Sequence, residues 1–508
     1  MDYMFSLELL AIFPEVFLFI GLNILLIYAV NFQALNPKLS FPLLRELSWL
    51  SIGLLGFTFI LIINSSLPTL LIFKETLIID NLSLFLKSLV LLSTIACIIM
   101  ALDFFEEEKI YAFEYILLIL FSALSMCILI SSYDFMTMYL AIELQSLCFY
   151  TLTAMKKDSE FTTEAGLKYF ILGSFSSGIL LFGFVLIYGF TGTTNLEVIM
   201  RLFLGTEIES AVLAYSFVFN GFLIGILFVA AGCLFKLTAV PFHMWAPDVY
   251  EGAPTSVTAF FSIVPKIALL GFMLRFFSIS LYDLIFPCQT IFYICSIASL
   301  LFGAFAALGQ TKIKRLLAFS SIGHVGYFLM AFACGTTESI QALLIYFIIY
   351  LITSIGLFAS LLALKKQDST GRIKYIGELV MLVQTNPLLA ITIALAMLST
   401  AGIPPLIGFI GKFYLFSATL NASFYSLAII GVFTSVISCF YYIRLIQIMY
   451  FQKKKYVILY QPMDASKAFL LALIFFFLTF FFFYITPLDL LTKEITNQIV
   501  SQLPLFVN

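Results

Sequence analysis

Charge is scarce in this chain. Of 508 residues only 11% are Asp, Glu, Lys or Arg, the formal net charge is -2, and there are 2 His and 2 Trp. A balance so thin and even excludes a nucleic-acid-binding surface. The 8 cysteines come no closer together than Cys288 and Cys295, with no CxxC and no Cys/His cluster. No metal, haem or iron–sulfur site is therefore expected on the chain itself, and most of these thiols are expected to be small apolar fillers. No Lys or Arg precedes Lys38. The first apolar run thus lacks the basic region of a signal peptide and the Arg-rich face of a transit peptide, and is expected to stay as a helix.

What the chain has instead is hydrophobicity: 62% of its residues, 59 of them Phe. A soluble core of this length could not hide so much apolar surface, so lipid must be the solvent for most of it. Fourteen apolar runs of about 20 residues, the length that crosses roughly 30 Å of hydrocarbon, lie at 7–31, 46–65, 82–103, 112–131, 135–155, 164–190, 212–240, 255–280, 288–309, 315–334, 338–364, 387–411, 424–450 and 467–486. This predicts an all-α polytopic membrane protein of about 14 transmembrane helices.

Short basic loops stay on the inner side of a membrane. Connections after odd-numbered helices hold Lys38, Arg45, Lys109, Lys156, Lys157, Lys312, Lys314, Arg315, Lys365, Lys366, Arg372, Lys374, Lys453, Lys454 and Lys455; the other loops and termini hold Lys74, Arg201 and Lys493. The odd connections are expected inside and both termini outside. Arg275, Arg444 and Lys467, near helix ends, are expected to snorkel to the interface, and Lys87 does so or not with equal weight. Glu15 and Asp80 have no partner assignable from sequence.

The stretch AGCLFKLTAVPFHMWAPDVYEGAPT, 231–255, begins as a membrane helix, carries Lys236 in apolar surroundings and breaks at Pro241. A charged side chain at membrane depth costs about 2.5–3.5 kcal/mol on insertion scales, and freed backbone groups there need protein or water partners. Lys168, Lys266 and Lys412 are placed similarly, and Glu143 sits in the middle of MYLAIELQSLCFY. Amines and a carboxylate at this depth suggest a proton or ion relay. Lys236 and Lys412 each belong to a helix interrupted by proline, Pro241 after the first and Pro404–Pro405 before the second, and TTEAGLKYF at 162–170 loosely matches TTESIQALLIYF at 336–347. Five helices separate equivalent points, so the second copy is expected to be inverted, as in transporters whose ionic sites lie at broken helices. The expected organisation is a three-helix segment at 1–111, a first five-helix repeat at 112–280 (helices 4–8), a second, inverted repeat at 281–450 (helices 9–13) and a fourteenth helix with its tail at 451–508, helices 7 and 12 being broken.

Four stretches carry a resemblance: 231–255, KRLLAFSSIGHVGYF at 314–328, MYLAIELQSLCFY at 138–150 and AGIPPLIGFIGKFYLF at 401–416. Together they resemble the antiporter-like subunits of proton-pumping NADH:ubiquinone oxidoreductase, respiratory complex I, and in particular the subunit 2 family, chain N in bacteria. The likeness runs from FPEVF near the N-terminus to YYIRL and QPMD near the C-terminus. PFHMWAPDVYEGAP looks like subunit 2 rather than subunits 4 and 5, and nothing past the fourteenth helix suggests the long lateral helix of subunit 5. The resemblance implies a proton-translocating subunit with no redox centre of its own. The family's fifth-helix glutamate falls on Glu143, its seventh-helix lysine on Lys236, and its sixth-, eighth- and twelfth-helix lysines on Lys168, Lys266 and Lys412.

In that reading Lys236 stands between two influences, burial disfavouring its charged form and a nearby carboxylate favouring it. Protons enter near Lys168 and Lys236, pass Lys266 and His324, and leave by Lys412. NADH, FMN, iron–sulfur clusters and ubiquinone are expected in partner subunits, which include subunit 4 and small membrane subunits. The implied location is the mitochondrial inner membrane, multi-pass, both termini on the intermembrane-space side; a bacterial inner membrane is the alternative. Three other readings stay open at this point: a free-standing multi-subunit-type cation/proton antiporter, a structural spacer, and Lys/Glu pairs that fix packing without moving protons. His243, beside the break, is expected to serve loop geometry, and the Gly and Ser residues of LGSFSSGILLFG, 172–183, to serve close helix packing.

Overall fold

A computed structural model of the chain describes residues 2–35, 40–65, 69–108, 112–203, 216–367, 372–453 and 459–505. Four of the basic loop residues named above, Lys38, Lys109, Lys454 and Lys455, lie outside the described residues, as do 212–215 at the start of the expected seventh helix. The elements in order are α1 (Asp2–Ala11), α2 (Phe13–Leu35), α3 (Ser40–Ile63), β1 (Leu70–Ile72), β2 (Leu77–Ile79), α4 (Asn81–Glu108), α5 (Glu114–Ser131), α6 (Phe135–Thr153), α7 (Glu160–Thr191), α8 (Leu196–Phe203), α9 (Ser216–Leu237), α10 (Trp245–Gly252) and α11 (Thr255–Met273). There follow α12 (Ile285–Leu308), α13 (Ile313–Cys334), α14 (Thr337–Ala363), α15 (Leu382–Thr385), α16 (Pro387–Ala401), α17 (Ile407–Asn421), α18 (Tyr425–Tyr450), α19 (Ala465–Phe480) and α20 (Thr486–Leu505). Among the described residues 12 helices are long and apolar enough to cross a membrane, and the expected runs at 387–411 and 467–486 appear as the shorter apolar helices α16 and α19. The protein is a polytopic helical membrane protein.

Two compact units divide the chain. One takes in the residues up to Leu237 with Gly252–Cys288 and those from Ser501; the other takes in Thr238–Glu251 and Gln289–Val500. In the first, α7 and α9 approach closely because a side chain is missing: a Cβ on Gly183 would come within 2.8 Å of the Val229 backbone nitrogen. Gly173 fits its neighbour Tyr150 in the same way, whereas Gly178 faces open space. α11 is enclosed on every side, Ser256 to Met273 all being buried, and runs straight into a π-helix, Leu274–Ser280. The connection between the second and third expected helices holds a hairpin, β1 and β2. They pair antiparallel, Leu70 opposite Ile79 and Ile72 opposite Leu77, and their apolar side chains pack with Ala11.

Both expected breaks are present. α9 stops one residue past Lys236, Thr238 takes φ +68°, and the chain turns through Pro241 into α10. In the second unit α16 ends at Gly402, φ +84°, whose amide bonds back to the carbonyls of Leu398 and Ser399. Only glycine suits this position: a Cβ would be strained at that φ and would lie 2.9 Å from Lys412 Cδ.

Snorkelling is corrected for two residues. Arg275 is 1% exposed and Lys467 is buried, because each is surrounded by protein rather than standing at an interface. Arg444 does keep an exposed guanidinium, which donates to the Leu308 carbonyl at 3.2 Å.

Candidate functional site

In the first unit the sequence-derived residues sit on four helices. Lys236 occupies the last turn of α9, where the negative end of the helix dipole offers an ammonium a compensating field. Its Nζ is buried and has no hydrogen-bond partner among the described residues. Glu143, in the middle of α6, is its electrostatic partner. One carboxylate oxygen, Oε1, is buried and likewise takes no hydrogen bond; the other lies 3.4 Å from the Ser146 hydroxyl. α6 and α9 both pack on α7 and α11. Lys266 follows Pro265 on α11 and is 2% exposed. The proline offers no amide hydrogen to the carbonyl one turn earlier, which makes the helix polar beside the lysine. Lys168 lies elsewhere, on the exposed face of α7, paired with Glu164 at 2.7 Å.

In the second unit Lys412 is buried on α17 and donates to the carbonyl of Ala401, the last residue of α16, at 2.8 Å. Its ammonium stands 5.3 Å from the centre of the Tyr327 ring. His324, on α13, is buried and its Nδ1 lies 2.6 Å from the Tyr346 hydroxyl. The two basic residues line one cavity of about 20 Å³ together with Tyr327, Thr400, Tyr441 and Tyr442. A cavity of roughly 10–15 Å³ holds one water, so this one has room for a bridging molecule among hydroxyls. The tyrosines were not singled out from sequence, where they look like any aromatic in a membrane helix. His243 lies against Phe302 beside the first break, the ring centres 4.2 Å apart and the planes tilted by 60°. Glu251 of α10 receives Lys312 and Arg315, joining the PFHMWAPDVYEGAP and KRLL stretches through an ionic cluster.

Two buried ion pairs escaped the sequence reading, and they give Glu15 and Asp80 their partners. Lys87 of α4 donates to Glu15 of α2, both buried. Asp80 receives Arg275 Nη2 at 2.7 Å, with side chains 2% and 1% exposed. Burial alone would raise the Asp80 carboxyl, but the charge and hydrogen bond of Arg275 and the bonds from Ser83 outweigh it and hold it below the usual carboxylate range. No nearby signal in the sequence joins either pair. Among the described residues no three His, Cys, Asp or Glu side chains gather as metal ligands.

Residues 132–438 match the family model described as NADH:quinone oxidoreductase/Mrp antiporter, transmembrane. NADH-ubiquinone oxidoreductase chain 2 of Marchantia polymorpha is 54% identical over 493 residues, covering 97% of this chain and 99% of its own. NADH-quinone oxidoreductase subunit N of Paramagnetospirillum magneticum is 42% identical over 449 residues, 88% of this chain and 89% of its own. Among solved structures, a chain of respiratory complex I from Thermus thermophilus with bound aureothin superposes with a TM-score of 0.70 at 26% identity, over 90% of this chain and 97% of that one.

Proposed function

The chain belongs to the family of membrane subunits shared by NADH:quinone oxidoreductase and Mrp antiporters, as its subunit 2 or N type, and on that premise we propose that it carries protons across the inner membrane through Glu143, Lys236, Lys266, His324 and Lys412. One contrast supports this reading. Glu15 with Lys87 and Asp80 with Arg275 are closed pairs, in direct hydrogen bond. Glu143 and Lys236 act on each other electrostatically but share no such bond, and the Lys236 amine, unlike the Lys87 and Arg275 cations, has no hydrogen-bond partner at all among the described residues. Buried polar groups are ordinarily bonded. An amine that no acceptor holds can take up and release a proton; a closed pair only holds helices together.

Distance sets the size of the lever. A unit-charge pair at about 4 Å and an effective dielectric near 20 is worth roughly 4 kcal/mol. Carrying one charge through 100 mV costs about 2.3 kcal/mol. Drawing Glu143 away from Lys236 therefore changes the affinity of the amine for its proton by enough to drive release. Lys168, exposed beside Glu164, is the entry group in this scheme. Lys412 and His324, with hydroxyls and room for water between them, form the second station. The redox chemistry, with NADH, FMN, iron–sulfur clusters and ubiquinone, belongs to partner subunits, among them subunit 4 and the small membrane subunits. The two broken-helix bundles are inverted repeats, and both termini face the intermembrane space.

Replacing Lys236 with alanine in the assembled complex tests the assignment. Expected is a complex that assembles but pumps few or no protons. Normal pumping stoichiometry with normal quinone reduction would show the relay to be wrong, and loss of assembly would give the lysine a packing role instead.

A further inference from the structure

The helix that carries Lys266 has two soft places and one anchor. Pro265 interrupts its hydrogen-bond ladder just before the lysine, and past Met273 it widens into the π-helix Leu274–Ser280. Helices bend or slip at such points, and π-turns recur at functional sites. The anchor is Arg275. Its Nη2 donates to Asp80 Oδ1 at 2.7 Å and its Nε to the Ile130 carbonyl at 2.8 Å, while its own carbonyl accepts the Ser280 hydroxyl at 3.0 Å. Asp80 is itself held, since it accepts the Ser83 amide at 2.9 Å and receives the Ser83 hydroxyl on its carbonyl at 2.7 Å, at the entry of α4. The guanidinium thus ties the end of this helix to the start of α4 and the end of α5.

A buried ion pair is a poor way to gain stability, because desolvation offsets the attraction, and an apolar pair of similar size is often as stable or more so. It does fix direction. Two bonds from one planar guanidinium to two separate elements set both the height and the rotation of the segment that bears it, which apolar contact would not. Arg275 lies nine residues beyond Lys266, about 13 Å at 1.5 Å per residue, and a slip of one residue at the anchor would swing the amine by about 100°. Tyr133, in the α5–α6 turn, lies within reach of the charges of both Asp80 and Arg275 and of Glu197 and Arg201 on α8.

We propose that Asp80 and Arg275 are positioning residues for Lys266, their ion pair clamping the far end of the α11 rod so that the lysine amine stays in line for proton transfer. This rests on the reading of Lys266 as a proton-carrying group.

Four variants of the assembled complex in sealed vesicles test it: Asp80→Asn, Arg275→Lys, the double change Asp80→Leu with Arg275→Met, and Lys266→Ala. Protons moved per electron pair, quinone reduction and assembly are measured together. Expected is that Asp80→Asn and the apolar pair assemble but lose about tenfold in proton-coupled turnover, inside the roughly hundredfold that an ångström of misplacement costs. Arg275→Lys, which keeps the ion pair but not the fork, should recover a large part. Wild-type pumping by the apolar pair overturns the proposal, as does loss of assembly in every Asp80 and Arg275 variant, which would assign the pair to folding. Lys266→Ala separates the two claims. If it pumps normally, the relay reading of Lys266 fails; if it does not pump while Asp80→Asn does, the positioning claim alone fails.

Discussion

Lys412 caps Ala401: the ammonium of one half of a broken helix closes the C-terminus of the other, at 2.8 Å. The carbonyls at a helix end lack partners within the helix, and a cation there meets the negative end of the dipole. Structure and chemistry are therefore separable at this residue. Lys412→Arg keeps a cation at the cap but brings a guanidinium that does not release its proton; it should assemble normally and fail to pump, as read by a pH-sensitive dye in inverted vesicles. Lys412→Met should also fail to pump and should lose about 1–3 kcal/mol of stability, the cost of leaving a buried acceptor unmade.

Tyr346 fixes one nitrogen of His324 at 2.6 Å. If the imidazole passes protons into the cavity it shares with Lys412, the phenol sets which nitrogen is free to do so. Tyr346→Phe should slow proton-coupled turnover several-fold while costing only about 1 kcal/mol in stability. Equal rates for the variant and the parent across pH 6–8 would remove His324 from the path.

The Lys87–Glu15 pair makes the opposite forecast. Both groups are buried and bonded to each other, so Lys87→Met strands a carboxylate and should destabilise the protein by about 3–5 kcal/mol. The double change Glu15→Leu with Lys87→Met should restore most of that, and pumping with it. Thermal unfolding in lipid nanodiscs reads the first effect. Failure of the double variant to pump despite full stability would make the pair part of the proton path.

Glu378 staples a connecting loop, accepting Lys366 Nζ at 2.9 Å and the Lys374 amide at 2.9 Å. Burial pushes its carboxyl up, but these bonds and the Lys366 charge outweigh that and hold it below the ordinary range. A carboxyl depressed on folding stabilises the loop above its unfolded value of about 4.3, and that contribution is lost as pH falls through the folded value. Pepsin cleavage near Tyr375 and Leu379 should rise steeply below about pH 4 in the parent. Glu378→Gln should be cleaved readily at the upper end of the pepsin range and show a flatter pH response.

The helices were legible because lipid demands one thing of sequence, an unbroken apolar run, and the two breaks because proline and glycine act locally. Lys236, Lys266 and Lys412 stood out for the same reason, as charges where charge is costly. What could not be read was pairing. Arg275 lies next to a helix end in sequence and so resembles a residue that reaches for water, but its acid comes from a hairpin far away in the chain. The hairpin was hidden because three-residue strands leave too short an alternation to see. Lys168 shows the reverse limit: its position in an apolar run marks it as buried, yet its place on the outer face of α7 depends on which side of the helix faces neighbours. The tyrosines around Lys412 were invisible as a group, since only the fold turns them toward one cavity.

The distance between Asp80 and Arg275 along the chain bears on how the protein is made. During synthesis the acid emerges 195 residues before its base. A ribosome feeding helices one by one into lipid must therefore leave a carboxylate waiting, protonated or shielded, until α11 and the π-helix that continues it arrive with two cations, Lys266 and Arg275, neither comfortable in hydrocarbon alone. α11 can settle only into a berth that α4 and α5 have already built, so chains truncated ahead of Arg275 should be degraded rather than stored.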